Sequence, residues 1–143
     1  MSDLASSTCE ACRVDAPRVS DDEASLLIKE IEGWDVIDAG VKKLKKEFSF
    51  SNYSDSIDFS NKVADMADKE DHHPQIILEW GKVTVVWWSH KIKGLHKNDF
   101  ICAAKTNEIS KNKYGTKRKT LSIIGLASYW DSYHCRSISK LCS

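Results

Sequence analysis

The chain has 143 residues, is 41% hydrophobic and 29% charged, and balances 21 Lys/Arg against 21 Asp/Glu. This is the make-up of one globular domain with its own core. Zero net charge argues against an electrostatically driven nucleic-acid or anionic-membrane partner, and no apolar run reaches the ~20 residues of a bilayer span. The five scattered cysteines are not a disulfide framework, and the start "MSDLASSTCEACRV" has neither a basic n-region nor an apolar h-region. A reducing cytoplasm is the expected location.

Residues 1–19 are small and polar and are expected to form a flexible N-terminal arm. The Cys9-Glu10-Ala11-Cys12 unit offers only two metal ligands with no second pair nearby, so neither a zinc site nor a redox motif is read from it. A capping box then opens a helix, with Ser20 at the N-cap and Glu23 three residues on. Leu26, Leu27 and Ile31 supply its apolar stripe, and Gly33 ends it. Trp34–Ile37 reads as a strand, Asp38-Ala39-Gly40 as a turn, and "VKKLKKEFSF" as a second, lysine-rich strand exposed on one side.

Residues 52–71 predict a helix that is apolar on two sides. Tyr53, Ile57, Ala64 and Ala67 share one side; Phe59, Val63 and Met66 lie nearly opposite. Such a helix is expected to be covered twice, once by its own sheet and once by a partner subunit. "QIILEW", Gly81-Lys82 and "VTVVWWSHK" predict a β-hairpin. Val83, Val85 and Trp87 face one way along its second strand, and Thr84, Val86, Trp88 and His90 the other, so this strand too is expected to be covered on both faces. These leftover apolar surfaces predict a homo-oligomer, dimer or tetramer, with Trp88 or the Phe59–Val63–Met66 stripe in the interface.

Residues 97–109 close the domain as a helix with Asn98 or Asp99 near its start. The expected architecture for residues 20–110 is α+β: an antiparallel four-stranded sheet with helices packed on one face, in the order α-β-β-α-β-β-α. Residues 111–143 read as a basic C-terminal extension, poorly ordered or accessory. From Lys105 onward there are eight Lys/Arg against two Asp/Glu.

The chemistry concentrates in "DKEDHHPQIILEW", Asp68–Trp80. Pro74 pushes His73 toward an extended backbone, so His72 ends the helix while His73 starts the strand. Their imidazoles then point different ways and can flank a small molecule. His90 lies across the hairpin, which can return it to the pair. Histidines that exchange protons near neutral pH suit acid–base work. Two exposed cap residues are the plain alternative. Zinc is the other, although adjacent histidines do not easily share one tetrahedral ion.

"DKEDHHP" followed by "EWGKVTVVWWSHKIKGLHKNDF" resembles the signature of the pterin-4a-carbinolamine dehydratases in their bacterial form. Asp68, His72, His73, Pro74, Trp80, His90 and Asp99 stand in register, and the resemblance spans roughly residues 9–110. It implies the dehydration of 4a-hydroxytetrahydrobiopterin to quinonoid dihydropterin, in pterin recycling, without metal or cofactor. It implies His72 and His90 as general acids and His73 as a substrate-binding histidine. Asp68 would orient a histidine or contact the pterin, Asp99 would hold the closing helix or the pocket rim, and Trp34 would stack on the pterin or sit in the core. An aromatic amino-acid hydroxylase or a transcription factor are the implied protein partners. The competing function is a dimeric binding or coactivator-type protein with little enzymatic role.

Overall fold

The structure, a computed structural model, describes residues 3–11 and 13–114. The expected extension therefore lies, from residue 115 on, outside the described residues, as does Cys12. Four helices and four strands follow one another as α1 (Asp3–Ser6), α2 (Asp21–Leu27), β1 (Asp35–Asp38), β2 (Lys42–Ser49), α3 (Tyr53–Glu70), β3 (Gln75–Glu79), β4 (Lys82–Trp87) and α4 (Lys97–Tyr114). The strands form one antiparallel sheet in the order β1-β2-β4-β3. Apart from the short α1, this is the α+β architecture and element order expected from the sequence.

Local signals account for most of the element ends. Ser20 caps α2 by accepting the Glu23 N–H at 3.2 Å, and Asn52 caps α3 by accepting the Asp55 N–H at 2.8 Å. Gly40 takes φ +84° in the β1–β2 turn, where the Asp38 carboxylate accepts its N–H at 3.1 Å. Gly81 takes φ +69° between β3 and β4, and a side chain there would meet the Phe50 carbonyl.

The core lies between one face of the sheet and the pair α3 and α4. Leu44, Phe48, Val83, Val85 and Trp87 alternate inward from the strands and meet Phe59, Val63 and Ala67 of α3 and Phe100 of α4. Three expectations need correction here. Phe59 and Val63 are fully buried in the subunit's own core, so that stripe is not a subunit interface. The side of α3 left in water is the Tyr53–Ile57 side, at 46% and 38% exposure. The i, i+4 spacing showed both stripes and could not rank them; Ala67, expected on the Tyr53–Ile57 side, is buried with Phe59 and Val63 instead. Leu26 does not join the α2 stripe; it is exposed, because the last turn of this helix tightens to 3₁₀ over Ile28–Glu30 and turns Leu27 and Ile28 toward the core instead. Strand β4 stops at Trp87 rather than continuing to Lys91; Ser89 bridges to Gly94 around a loop in which Lys93 takes φ +48°.

The N-terminal arm packs down in a way no periodicity showed. Leu4 is buried against the core, and both amide atoms of Asn98 engage the Glu10 backbone, accepting its N–H at 3.0 Å and donating to its carbonyl at 2.7 Å. The Cys9 N–H donates to Glu70 at 3.0 Å, Lys105 pairs with the same carboxylate, and the Cys9 thiol lies 3.5 Å from that of Cys102. The neighbouring thiol and then burial push the Cys102 thiol up, out of the reactive range.

Burial works against the charge on Glu70, but the hydrogen bonds from Lys105 and Cys9 prevail and hold its carboxyl below the ordinary 4.5. A lowered carboxyl pKa stabilises the fold above the ordinary value, and this contribution is lost as pH falls through the lower folded value. Glu70→Gln is therefore expected to lower stability at neutral pH by about 1–3 kcal/mol. In chemical denaturation the difference from wild type should close on acidification below that range.

Candidate active site

The site is built where α3 ends. Asp71, at φ +49°, occupies the left-handed position that usually takes glycine. Its N–H returns to the Asp68 carbonyl at 3.3 Å, and the His72 N–H returns to the Ala67 carbonyl at 3.1 Å. This reversal fixes the backbone of both histidines, and Pro74 then leads the chain into β3. The two side chains go to different environments. His72 is 4% exposed and stacks on the buried Trp87 with ring centroids 5.3 Å apart. His73 stays in solvent, with Nε2 2.9 Å from Asp68 Oδ1.

His72 Nε2 lies 2.6 Å from Oδ1 of Asp99, a carboxylate with no solvent exposure. The other oxygen, Oδ2, accepts the Ser89 hydroxyl at 3.0 Å and the His96 backbone N–H at 2.7 Å. Asp99 thus does two jobs. As the third residue of α4 it reaches back to the residue before the helix, the reciprocal half of a capping box. With its free oxygen it takes the His72 Nε2–H, which leaves the lone pair of that ring on Nδ1.

The loop after β4 completes the constellation. His90 lies over Trp88, centroids 4.2 Å apart, and the Lys43 ammonium sits 4.0 Å from the same indole. His72, His73 and His90 line one cavity of about 250 Å³ together with Asp71, Ser89, His96 and, from the arm, Arg13 and Ala16. That is smaller than the roughly 300–1,000 Å³ of a drug-sized site and suits one compact molecule.

Among the residues expected in the site, His72, His73 and His90 line the cavity, and Asp68 and Asp99 each hold one of these histidines. Pro74 is half-buried at the entry to β3. Trp34 is elsewhere: it is buried, donates its Nε1–H to Asn107 Oδ1 at 3.0 Å, and meets Phe48 edge-on at 6.1 Å. Trp80 is 72% exposed in the hairpin turn. Among the described residues no three His, Cys, Asp or Glu side chains converge as a metal-ligand set. No helix among them is long and apolar enough to cross a membrane. His96 was not expected in the site. The signal for it was present in "HKND", the capping-box spacing ending in an acid, with histidine where serine or threonine is usual.

Residues 17–109 match the family described as Pterin 4 alpha carbinolamine dehydratase. The chain belongs to that family. By membership it is a hydro-lyase. It is 54% identical over 110 residues to a protein of Saccharophagus degradans assigned by name to pterin-4-alpha-carbinolamine dehydratase, covering 76% of this chain and 97% of that protein. A protein of Photobacterium profundum assigned the same name is 56% identical over 108 residues, covering 75% and 96%. Among solved structures, a transcriptional coactivator/pterin dehydratase from Brucella melitensis is similar at TM-score 0.62 and 28% identity, covering 65% of this chain and 98% of that chain.

The Asp99 arrangement makes a specific expectation for this family member. In Asp99→Asn the fixed His96 N–H holds the amide oxygen, so the amide NH₂ must face His72. His72 is then expected to move its ring proton to Nδ1, read from the ¹⁵N shifts of the ring, and stability to fall by about 1–3 kcal/mol for the disturbed buried hydrogen bonds. An unchanged His72 tautomer would contradict the clamp.

Proposed function

We propose that the chain dehydrates 4a-hydroxytetrahydrobiopterin to quinonoid dihydropterin by histidine general acid–base catalysis, in the recycling of a pterin cofactor. The observation that carries this reading is the convergence of His72, His73 and His90 on one small cavity, each held by a different support.

The reaction breaks the C4a–O bond and the N5–H bond and forms the C4a=N5 double bond. The hydroxyl leaves as water once it receives a proton, and a base takes the proton from N5. His90, at the outer rim, delivers the proton to the leaving oxygen. His72 accepts the proton from N5, while Asp99 holds the ring and stabilises the imidazolium that forms. His73, oriented by Asp68, binds the pterin. This assigns His72 and His90 to proton transfer and His73 to binding, and the whole step stays within side-chain acid–base chemistry.

The same reading includes a homo-oligomer in the cytoplasm. Its interface is drawn from the exposed Tyr53–Ile57 side of α3 and from the sheet face opposite α3 and α4, which carries Ile77 and Trp88. A coactivator-type binding role, the second reading, is favoured only by the name of the Brucella melitensis neighbour.

Enzymatically generated 4a-hydroxytetrahydrobiopterin should lose water faster with the protein than in buffer. His72→Ala and His90→Ala should each lower the rate by roughly 10²–10⁴-fold. His73→Ala should raise KM more than it lowers kcat. A wild-type rate equal to that of buffer would sink the enzymatic reading and leave the binding one.

A further inference from the structure

His96 is the residue of this site that the three-histidine reading leaves without a task. It precedes α4 and caps it: its Nδ1 accepts the Asn98 N–H at 3.2 Å while its own N–H goes to Asp99. An imidazole whose Nδ1 accepts a backbone N–H carries its ring proton on Nε2. The residue is 94% buried, being 6% exposed, yet Nε2 has no hydrogen-bond partner among the described residues. His96 lines the cavity of His72, His73 and His90 and also two neighbouring cavities on the side of the arm.

Several of the polar groups lining the cavity of the three histidines, which also include Arg13, Asp71, His90 and Lys91, are committed elsewhere. Both amide atoms of Asn98 are taken by the Glu10 backbone, and the Ser89 hydroxyl is taken by Asp99. His72 and His73 each spend Nε2 on a carboxylate. His96 is therefore a ring N–H donor, fixed at one end by the helix, on a residue that lines the cavity. A donor of this kind matches a neutral oxygen acceptor. The pterin ring carries one beside the reacting carbon, the 4-carbonyl oxygen.

We propose that His96 is a substrate-binding residue whose Nε2–H donates a hydrogen bond to the 4-carbonyl oxygen of the bound pterin. The proposal rests on the pterin reading of the site. It adds a fourth histidine with a role unlike the other three: one that holds the ring and transfers no proton. Anchoring the ring edge next to C4a would fix the leaving hydroxyl and N5 relative to His90 and His72, which is how a binding contact contributes to rate.

The test uses His96→Ser. Serine is a favoured N-cap, and any residue at 96 retains the backbone N–H that Asp99 accepts, so α4 and the His72 clamp are preserved. The melting temperature should stay close to wild type while KM for the carbinolamine rises roughly threefold to tenfold, the loss of one neutral hydrogen bond. In wild-type protein, ¹⁵N spectra of the imidazoles should show His96 as the Nε2–H tautomer, and saturating 7,8-dihydropterin should shift that Nε2 signal. A His96→Ser enzyme with wild-type KM, or a His96 Nε2 signal unmoved by bound dihydropterin, overturns the proposal. If the variant melts early, the wild-type spectra decide alone. Because dihydropterin binding is read without turnover, an inactive wild-type protein would count against the dehydratase reading and not against the His96 contact.

Discussion

One buried carboxylate ties this site together. Asp99 sits at the start of α4, fully out of water, and accepts from three places at once: the His72 ring at the end of α3, the Ser89 hydroxyl just past β4, and the His96 backbone before α4. A carboxylate that surrenders all its water must be met by donors in good geometry, and each donor here belongs to a different segment. The cost of leaving any one of them unmade is what holds the three segments in a single arrangement. Helix capping and active-site assembly are consequently one event.

From that point the division of labour among the histidines follows. The left-handed Asp71 turns the chain so that His72 goes inward to Asp99 and Trp87 while His73 goes outward to Asp68. Adjacent residues thus receive a buried, rigidly held ring and a solvated one. His90 comes from the far side of the hairpin and rests on Trp88. The cavity between them is closed on one edge by Arg13 and Ala16 of the arm, which is itself anchored by Asn98, Glu70 and Lys105. The arm lies mostly in front of the matched family region, residues 17–109. It nevertheless contributes to the wall of the site.

Much of this was legible in the sequence because the signals were local. The Ser20 cap, the Gly40 and Gly81 turns, and the alternation Val83–Val85–Trp87 each read correctly in isolation, and together they specify the four-stranded sheet. The histidine pair was legible through Pro74 and through the family signature. What sequence could not supply was choice between equivalent patterns and contacts between distant segments. The two stripes of α3 look alike until the sheet selects Phe59–Val63. Trp34 is equally at home in a core or a pocket, and its partners Phe48 and Asn107, the latter 73 residues away, determine which. The packing of the arm rests on backbone hydrogen bonds to Asn98, which leave no periodicity. His96 was hidden because the cap position is usually filled by a hydroxyl residue, so an imidazole there reads as filler.

The central claim is that the three histidines surround the pterin ring at the cavity beneath Asp71. The most direct measurement is a crystal structure of the protein soaked with 7,8-dihydropterin. The bicyclic ring should lie in that cavity, within hydrogen-bond reach of His72 and His73 and with His90 over the C4a–N5 edge. A ring bound at any other surface, with these histidines in contact only with protein and solvent, would contradict it.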